Sequence, residues 1–115
     1  MSLPTGNYRA VLLYAKRHGD RKFYTLDFTL VESGERERAV VLFADMPAVF
    51  SASKFVIREG AIWSPVHPED DQPIVTLSLS YNAKWGSTRA LSAARTGLTV
   101  ACDIKAPVKQ HYVEF

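Results

Sequence analysis

Cysteine is almost missing from this chain. Cys102 stands alone, so no disulfide can close within it, and a structural zinc site would have to be built from histidines and carboxylates. Cys102 falls on the apolar side of an expected strand, where a thiolate is disfavoured, and reads as a core residue rather than a nucleophile. No apolar run approaches the roughly 20 residues that a membrane-spanning helix needs. The opening Met1-Ser-Leu-Pro-Thr-Gly6 has neither the basic region nor the apolar stretch of a secretory signal. The expectation is a protein that does not cross a membrane and works in the cytoplasm of a bacterial or virus-infected host cell.

Catalytic signatures are missing too. The glycines stand apart and none forms Gly-x-Gly-x-x-Gly, which argues against a nucleotide cofactor. There is no Gly-x-Ser-x-Gly elbow to present a serine nucleophile. His18, His67 and His111 lie far apart, and none has a partner at metal-ligand spacing, so they read as surface residues. Glu69, Asp70 and Asp71 lack the spaced carboxylates and glycine of a calcium loop and read as a solvated acidic patch. These absences point to a non-catalytic protein without cofactor or metal.

What is present suits one globular domain. The 115 residues are 47% hydrophobic and 23% charged, enough for a single core. The net charge of +2 is unevenly spread. Residues 1–24 carry Arg9, Lys16, Arg17, Arg21 and Lys22 against Asp20, residues 59–73 carry Glu59, Glu69, Asp70 and Asp71 with no Lys or Arg, and residues 82–115 carry Lys84, Arg89, Arg95, Lys105 and Lys109 against Asp103 and Glu114. If the two ends of the chain meet in space, they form a basic face.

Hydrophobic alternation is mostly that of strands. Asn7–Lys16 places Tyr8, Ala10, Leu12 and Tyr14 on one side and Arg9, Val11 and Leu13 on the other, as in a central strand. Arg21–Val31 puts Tyr24, Leu26, Phe28 and Leu30 on a core face and Phe23, Thr25, Asp27 and Thr29 on a wet one. A turn at Glu32–Glu35 leads to a third strand, Arg36–Ala44. Pro47 suits the first position of a short helix that turns Val49 and Phe50 inward, with Phe55 beside them. Phe55–Ile57 and Ala61–Trp63 read as a short strand pair, Ser64–Pro73 as a surface loop, and Ile74–Tyr81 as a strand with one wet face. Ser87 can cap a helix over Thr88–Thr96 that Gly97 closes, before a last strand at Leu98–Ile104. The sum is a mainly β fold with one or two short helices, a small OB-like β-barrel over residues 1–107, with 108–115 a tail or an edge strand.

The stretch Tyr14–Tyr24 is the odd one, because four basic side chains and three aromatic rings surround a turn at His18-Gly19-Asp20. Single-stranded nucleic acid is held by cations along its backbone and aromatic faces under its bases, each stacked base contributing roughly 1 to 3 kcal/mol. Lys16, Arg17, Arg21, Lys22, Phe23 and Tyr24 offer both, and Lys84 with Trp85 adds a cation and a ring in a later turn. The alternative is a solvated turn whose aromatics belong to the core. Phe23 discriminates, since alternation sets this large ring on the wet face.

Gly19-Asp-Arg-Lys-Phe-Tyr-Thr-Leu-Asp-Phe28, followed by a turn and Val40-Val-Leu-Phe43, resembles the small single-stranded-DNA-binding proteins of filamentous bacteriophages. The resemblance implies a five-stranded barrel of the oligonucleotide-binding kind, a homodimer, and a DNA-binding hairpin on or near which Arg21, Lys22 and Tyr24 lie. The Ala-rich Ser87–Thr96 and the acidic residues at Glu69 have no counterpart in that family. The expected function is binding of single-stranded DNA or RNA. The alternative is a protein-interaction or assembly module, possibly viral, acting through edge strands and the tail Val108–Phe115.

Overall fold

The structure, a computed structural model, describes residues 3–17, 20–58, 62–65 and 70–100. Cys102, the three histidines, Glu69, residues 101–104 of the expected last strand and the tail at 108–115 lie outside the described residues.

The chain begins with a meander: β1 (Gly6–Arg17), β2 (Phe23–Leu30) and β3 (Arg36–Leu42). Gly34, at φ 72°, supplies the left-handed step of the β2–β3 turn, and its N–H donates to the carbonyl of Leu30 at 2.9 Å. A 3-10 turn at Phe43–Asp45 leads into helix α1 (Met46–Phe50), which has Pro47 in its first turn and buries Val49 and Phe50. Hairpin β4 (Phe55–Arg58) and β5 (Ile62–Pro65) follows, then β6 (Gln72–Asn82) and β7 (Ser87–Val100).

The strands pair in the order β2-β3-β7-β6-β1-β5-β4, and β1 also pairs with β2. The chain of pairings therefore returns on itself through β1, β2, β3, β7 and β6. The ring is thinnest where β3 meets β7 in parallel, at the pair Val40 and Arg89. With α1 between β3 and the later strands, the result is the expected mainly β fold with one short helix, its sheet a partly closed ring. The short pair β4–β5 branches off β1 at Ala15 and Lys16.

The core lies inside the ring. Leu12, Leu26, Phe28, Val41, Val75 and Leu77 are fully buried there, and α1 closes it with Val49 and Phe50. Phe50 packs on Phe55 and Trp63 at ring separations of 5.5 Å, and Tyr24 sets its ring edge-on to both Phe50 and Trp63.

Three expectations are corrected. Residues 88–96 are not a helix but part of β7, which pairs with β6 from Asn82–Ser87 to Gln72–Val100. Ala90 and Ala93 face Leu79 and Leu77 across that ladder, so the small side chains that raise helix propensity serve here as close packing against larger partners. Gly97, expected as a helix end, takes φ 86° within an irregular stretch of β7. Second, Ser64 and Pro65 are buried in β5, and Gln72 and Pro73 belong to β6, so the expected loop at Ser64–Pro73 is shorter than its prolines suggest. Third, Tyr14 does not share a face with Leu12. Leu12 pairs with Phe28 and Tyr14 with the next residue, Asp27, which makes Leu13 the extra residue of a β-bulge and turns Tyr14 to the outer face.

Phe28→Ala should lower stability by about 3–5 kcal/mol, because it empties a fully buried ring site at the centre of the ring of strands. Thr29→Ala, half-buried on the opposite face, should cost less than about 1 kcal/mol. Denaturant unfolding followed by tryptophan emission measures both.

Candidate nucleic-acid interface

Pairing register fixes which side chains share the outer face of β1, β2 and β3. Phe23 lies opposite Leu42, Thr25 opposite Val40 and Lys16, and Asp27 opposite Arg38 and Tyr14, while Thr29 faces Arg36. Alternation sends Glu37, between the two arginines, to the other side.

At the centre of this face Asp27 is buried, its side chain 4% exposed, beneath Arg36 and Arg38, which are 32% and 63% exposed. Arg38 donates from Nε to Oδ1 at 2.9 Å and from Nη2 to Oδ2 at 3.3 Å. Arg36 donates to Oδ2 from Nε at 3.1 Å and also from Nη2, which in addition reaches the Tyr14 hydroxyl at 2.8 Å. Tyr14 in turn donates to Oδ2 at 3.1 Å, and the Arg36 guanidinium lies 5.6 Å from the centre of its ring. Burial alone would push the Asp27 carboxyl up, but the hydrogen bonds and charges of Arg38 and Arg36 outweigh it and hold it below the ordinary value. Burial and the facing Asp27 carboxylate push the Tyr14 hydroxyl up. The same carboxylate raises Arg38, mainly by hydrogen bonding.

The hairpin residues singled out in the sequence flank one end of this face. Lys16 is half-buried on β1, its carbonyl accepting from the Thr25 hydroxyl at 3.3 Å. Arg17 donates from Nε to the Arg21 carbonyl at 3.2 Å and holds its guanidinium 5.0 Å from the Phe43 ring. Arg21 and Lys22 are exposed, and Arg21 stands 5.7 Å from the ring centre of half-buried Phe23. Tyr24 is corrected: it is 5% exposed and belongs to the core, so no base can reach its ring.

Lys84 and Trp85 are exposed, Trp85 by 57%, but they are not brought to the hairpin. They occupy the β6–β7 turn next to the start of β1, where Gly6 pairs with Leu79, whereas the hairpin lies at the other end, beyond Arg17. Roughly 35 Å of strand path separates the two. The expected meeting of the basic ends of the chain is likewise not found among the described residues. Arg89 faces Asp45 at 3.2 Å, Arg95 donates to the Ala52 carbonyl at 2.7 Å, and Arg9 faces Glu32 at 3.6 Å.

Arg36, Arg38, Asp27 and Tyr14 were not singled out as a site from the sequence. A signal was present: Arg36 and Arg38 are two apart, which sets both on one side of a strand. What the sequence lacks is the register that brings them over Asp27. Together with Lys16 and the hairpin's Arg21 and Lys22 they give five cations, Lys16, Arg21, Lys22, Arg36 and Arg38, against Asp20 and Asp27, whereas Arg17 pairs with Tyr24 and lies on the other side of the sheet, against Phe43. Such a face attracts and orients polyanions. Among the described residues no three His, Cys, Asp or Glu side chains gather to hold a metal ion, and no helix is long and apolar enough to cross a membrane.

No family model, curated protein or solved structure matches the chain.

Because Asp27 titrates lower in the folded chain than in the unfolded one, the stability it contributes is complete above about pH 4, the unfolded carboxylate range. That contribution disappears as the pH falls through the lower folded value. Asp27→Asn should reduce stability at pH 7 by about 2 kcal/mol, less than for a fully buried pair because both arginines can rehydrate. The variant should also lose less than the parent between pH 5 and pH 2, each range being about what thermal unfolding across buffers can resolve.

Proposed function

We propose that this protein is a non-catalytic, cytoplasmic single-stranded nucleic-acid-binding protein that lays the strand across the outer face of β1, β2 and β3. The observation that carries the reading is the gathering of Arg36, Arg38 and Lys16 on one side of the sheet, with Arg21 at its end next to a partly exposed Phe23 ring. Exposed cations such as Arg21, Lys22 and Arg38 suit phosphates. The apolar strip formed by Phe23, Val40 and Leu42 suits the face of a base. The likeness of Gly19–Phe28 to the phage single-stranded-DNA-binding proteins supports the same reading, and homodimer formation belongs to it. Tyr24 has no part in the grip, and Lys84 and Trp85 lie too far along β1 to share its centre.

A fluorescein-labelled oligothymidylate should bind tightly at low salt and release as salt rises. Arg21→Ala and Lys22→Ala should each reduce the slope of log K against log salt by about 0.7, the value for one phosphate on a single strand. Phe23→Ala should weaken binding by about 1 kcal/mol, roughly five-fold, with the slope unchanged, since stacking releases no counterions. Fluorescence anisotropy measures all three, and an unchanged signal with the parent protein at low salt rules the reading out.

A second reading, assembly through a sheet edge, is favoured by β4. It is bonded only to β5 among the described residues, and Val56 on it is exposed. Under that reading, deletion of Val108–Phe115 abolishes association while oligonucleotide binding persists.

A further inference from the structure

We infer that Asp27 is a positioning residue that fixes Arg36 and Arg38 as one grip for a single backbone phosphodiester of the bound strand, an inference that rests on the proposed nucleic-acid reading. A carboxylate on a phosphate-binding face is at first sight a defect, because it repels the ligand. Here it is withdrawn beneath the arginines, with both oxygens occupied by Arg36, Arg38 and Tyr14. It therefore acts on the ligand mainly through the arginines. Arg38 gives Asp27 its Nε edge, donating from Nε and Nη2. The side chain is 63% exposed, so the guanidinium edge away from Asp27 is open to a phosphate oxygen.

Charge balance narrows the ligand. Two guanidiniums over one carboxylate leave the cluster with one positive charge, which one phosphodiester monoanion neutralises. Spacing adds a second constraint. Phe23 and Asp27 lie on the same face of β2, four residues apart, or roughly 13 Å of strand. A duplex keeps its base faces stacked inside, so a face with a ring at one end and a phosphate grip at the other suits an unpaired strand.

The placement yields a sign that simple attraction does not. If only net charge mattered, Asp27→Asn would remove a negative charge from the face and tighten binding. If Asp27 positions the arginines, the same change weakens binding, because their guanidiniums lose the geometry that turns Arg38 outward. Arg38→Lys separates the same alternatives by another route, since lysine keeps the charge and loses the planar fork.

The test is anisotropy titration of labelled oligothymidylate across a salt series with the parent protein, Asp27→Asn and Arg38→Lys, with thermal unfolding of each variant to establish that it is folded. Both folded variants should bind about five-fold more weakly, Asp27→Asn with a salt slope shallower by about 0.7 and Arg38→Lys, which keeps its charge, with the slope unchanged. On an oligonucleotide whose backbone is neutral methylphosphonate, variants and parent should become equal. Folded Asp27→Asn that binds as tightly as the parent or more tightly overturns the inference. Should Asp27→Asn fail to fold, Arg38→Lys decides alone, and parent-like binding by it overturns the inference. A parent protein that binds no oligonucleotide removes the nucleic-acid reading itself, whereas variants that all bind like the parent remove only the role of Asp27.

Discussion

One extra residue in β1 links the core of this protein to its surface. β1 has to pair along one edge with β2 and along the other with β6 and then β5, so it must bend to keep partners on both sides. The bulge at Leu13 accommodates that bend and shifts the alternation by one. Before it, Ala10 and Leu12 point into the core; after it, Ala15 does, and Tyr14 turns outward. Without the bulge the Tyr14 hydroxyl would lie on the core side and could not meet Asp27. The feature that lets the sheet curl into a ring thus also completes the polar cluster on its outer face.

That cluster obeys a strict economy of charge. A buried carboxylate is tolerated only when its oxygens are hydrogen-bonded and its charge is countered, and Asp27 meets both conditions with Arg36, Arg38 and Tyr14. One guanidinium would have sufficed to neutralise it. The second leaves an excess of positive charge held at a defined place, on an arginine that is more exposed than its neighbour. The flanking hairpin adds two further cations, Arg21 and Lys22, which are exposed to solvent. Long-range attraction would come from the hairpin, and orientation from the rigid strands behind it.

Much of the fold was legible because strand alternation is a local signal. The core face of β2, the buried Val75, Leu77 and Leu79 of β6 and the inward Val49 and Phe50 all follow from residue spacing, although Tyr81 on the same alternation is exposed near the end of β6. The failures share a cause, which is that partner choice is not local. Thr88–Thr96 carries alanines, a capping serine and a closing glycine, all of which agree with a helix, yet eleven-residue β6 needs a partner and β7 provides it. Tyr24 and Phe23 are neighbours in a stretch that looks aromatic and basic throughout, but alternation sends one into the core and keeps the other at the surface. Of the candidate site, the cations of the hairpin were legible as a charge cluster. Asp27 with Arg36 and Arg38 was not, since only the β2–β3 register makes them neighbours.

The central claim is that the outer face of β1, β2 and β3 is the contact surface for an unpaired strand. Mapping backbone amide shifts by NMR during titration with oligothymidylate tests it most directly. The largest changes should fall on Phe23–Thr29 and Arg36–Leu42 and on the hairpin residues Arg21 and Lys22. Changes confined to the β4 edge at Phe55–Arg58, or to the turn that holds Lys84 and Trp85, would contradict it.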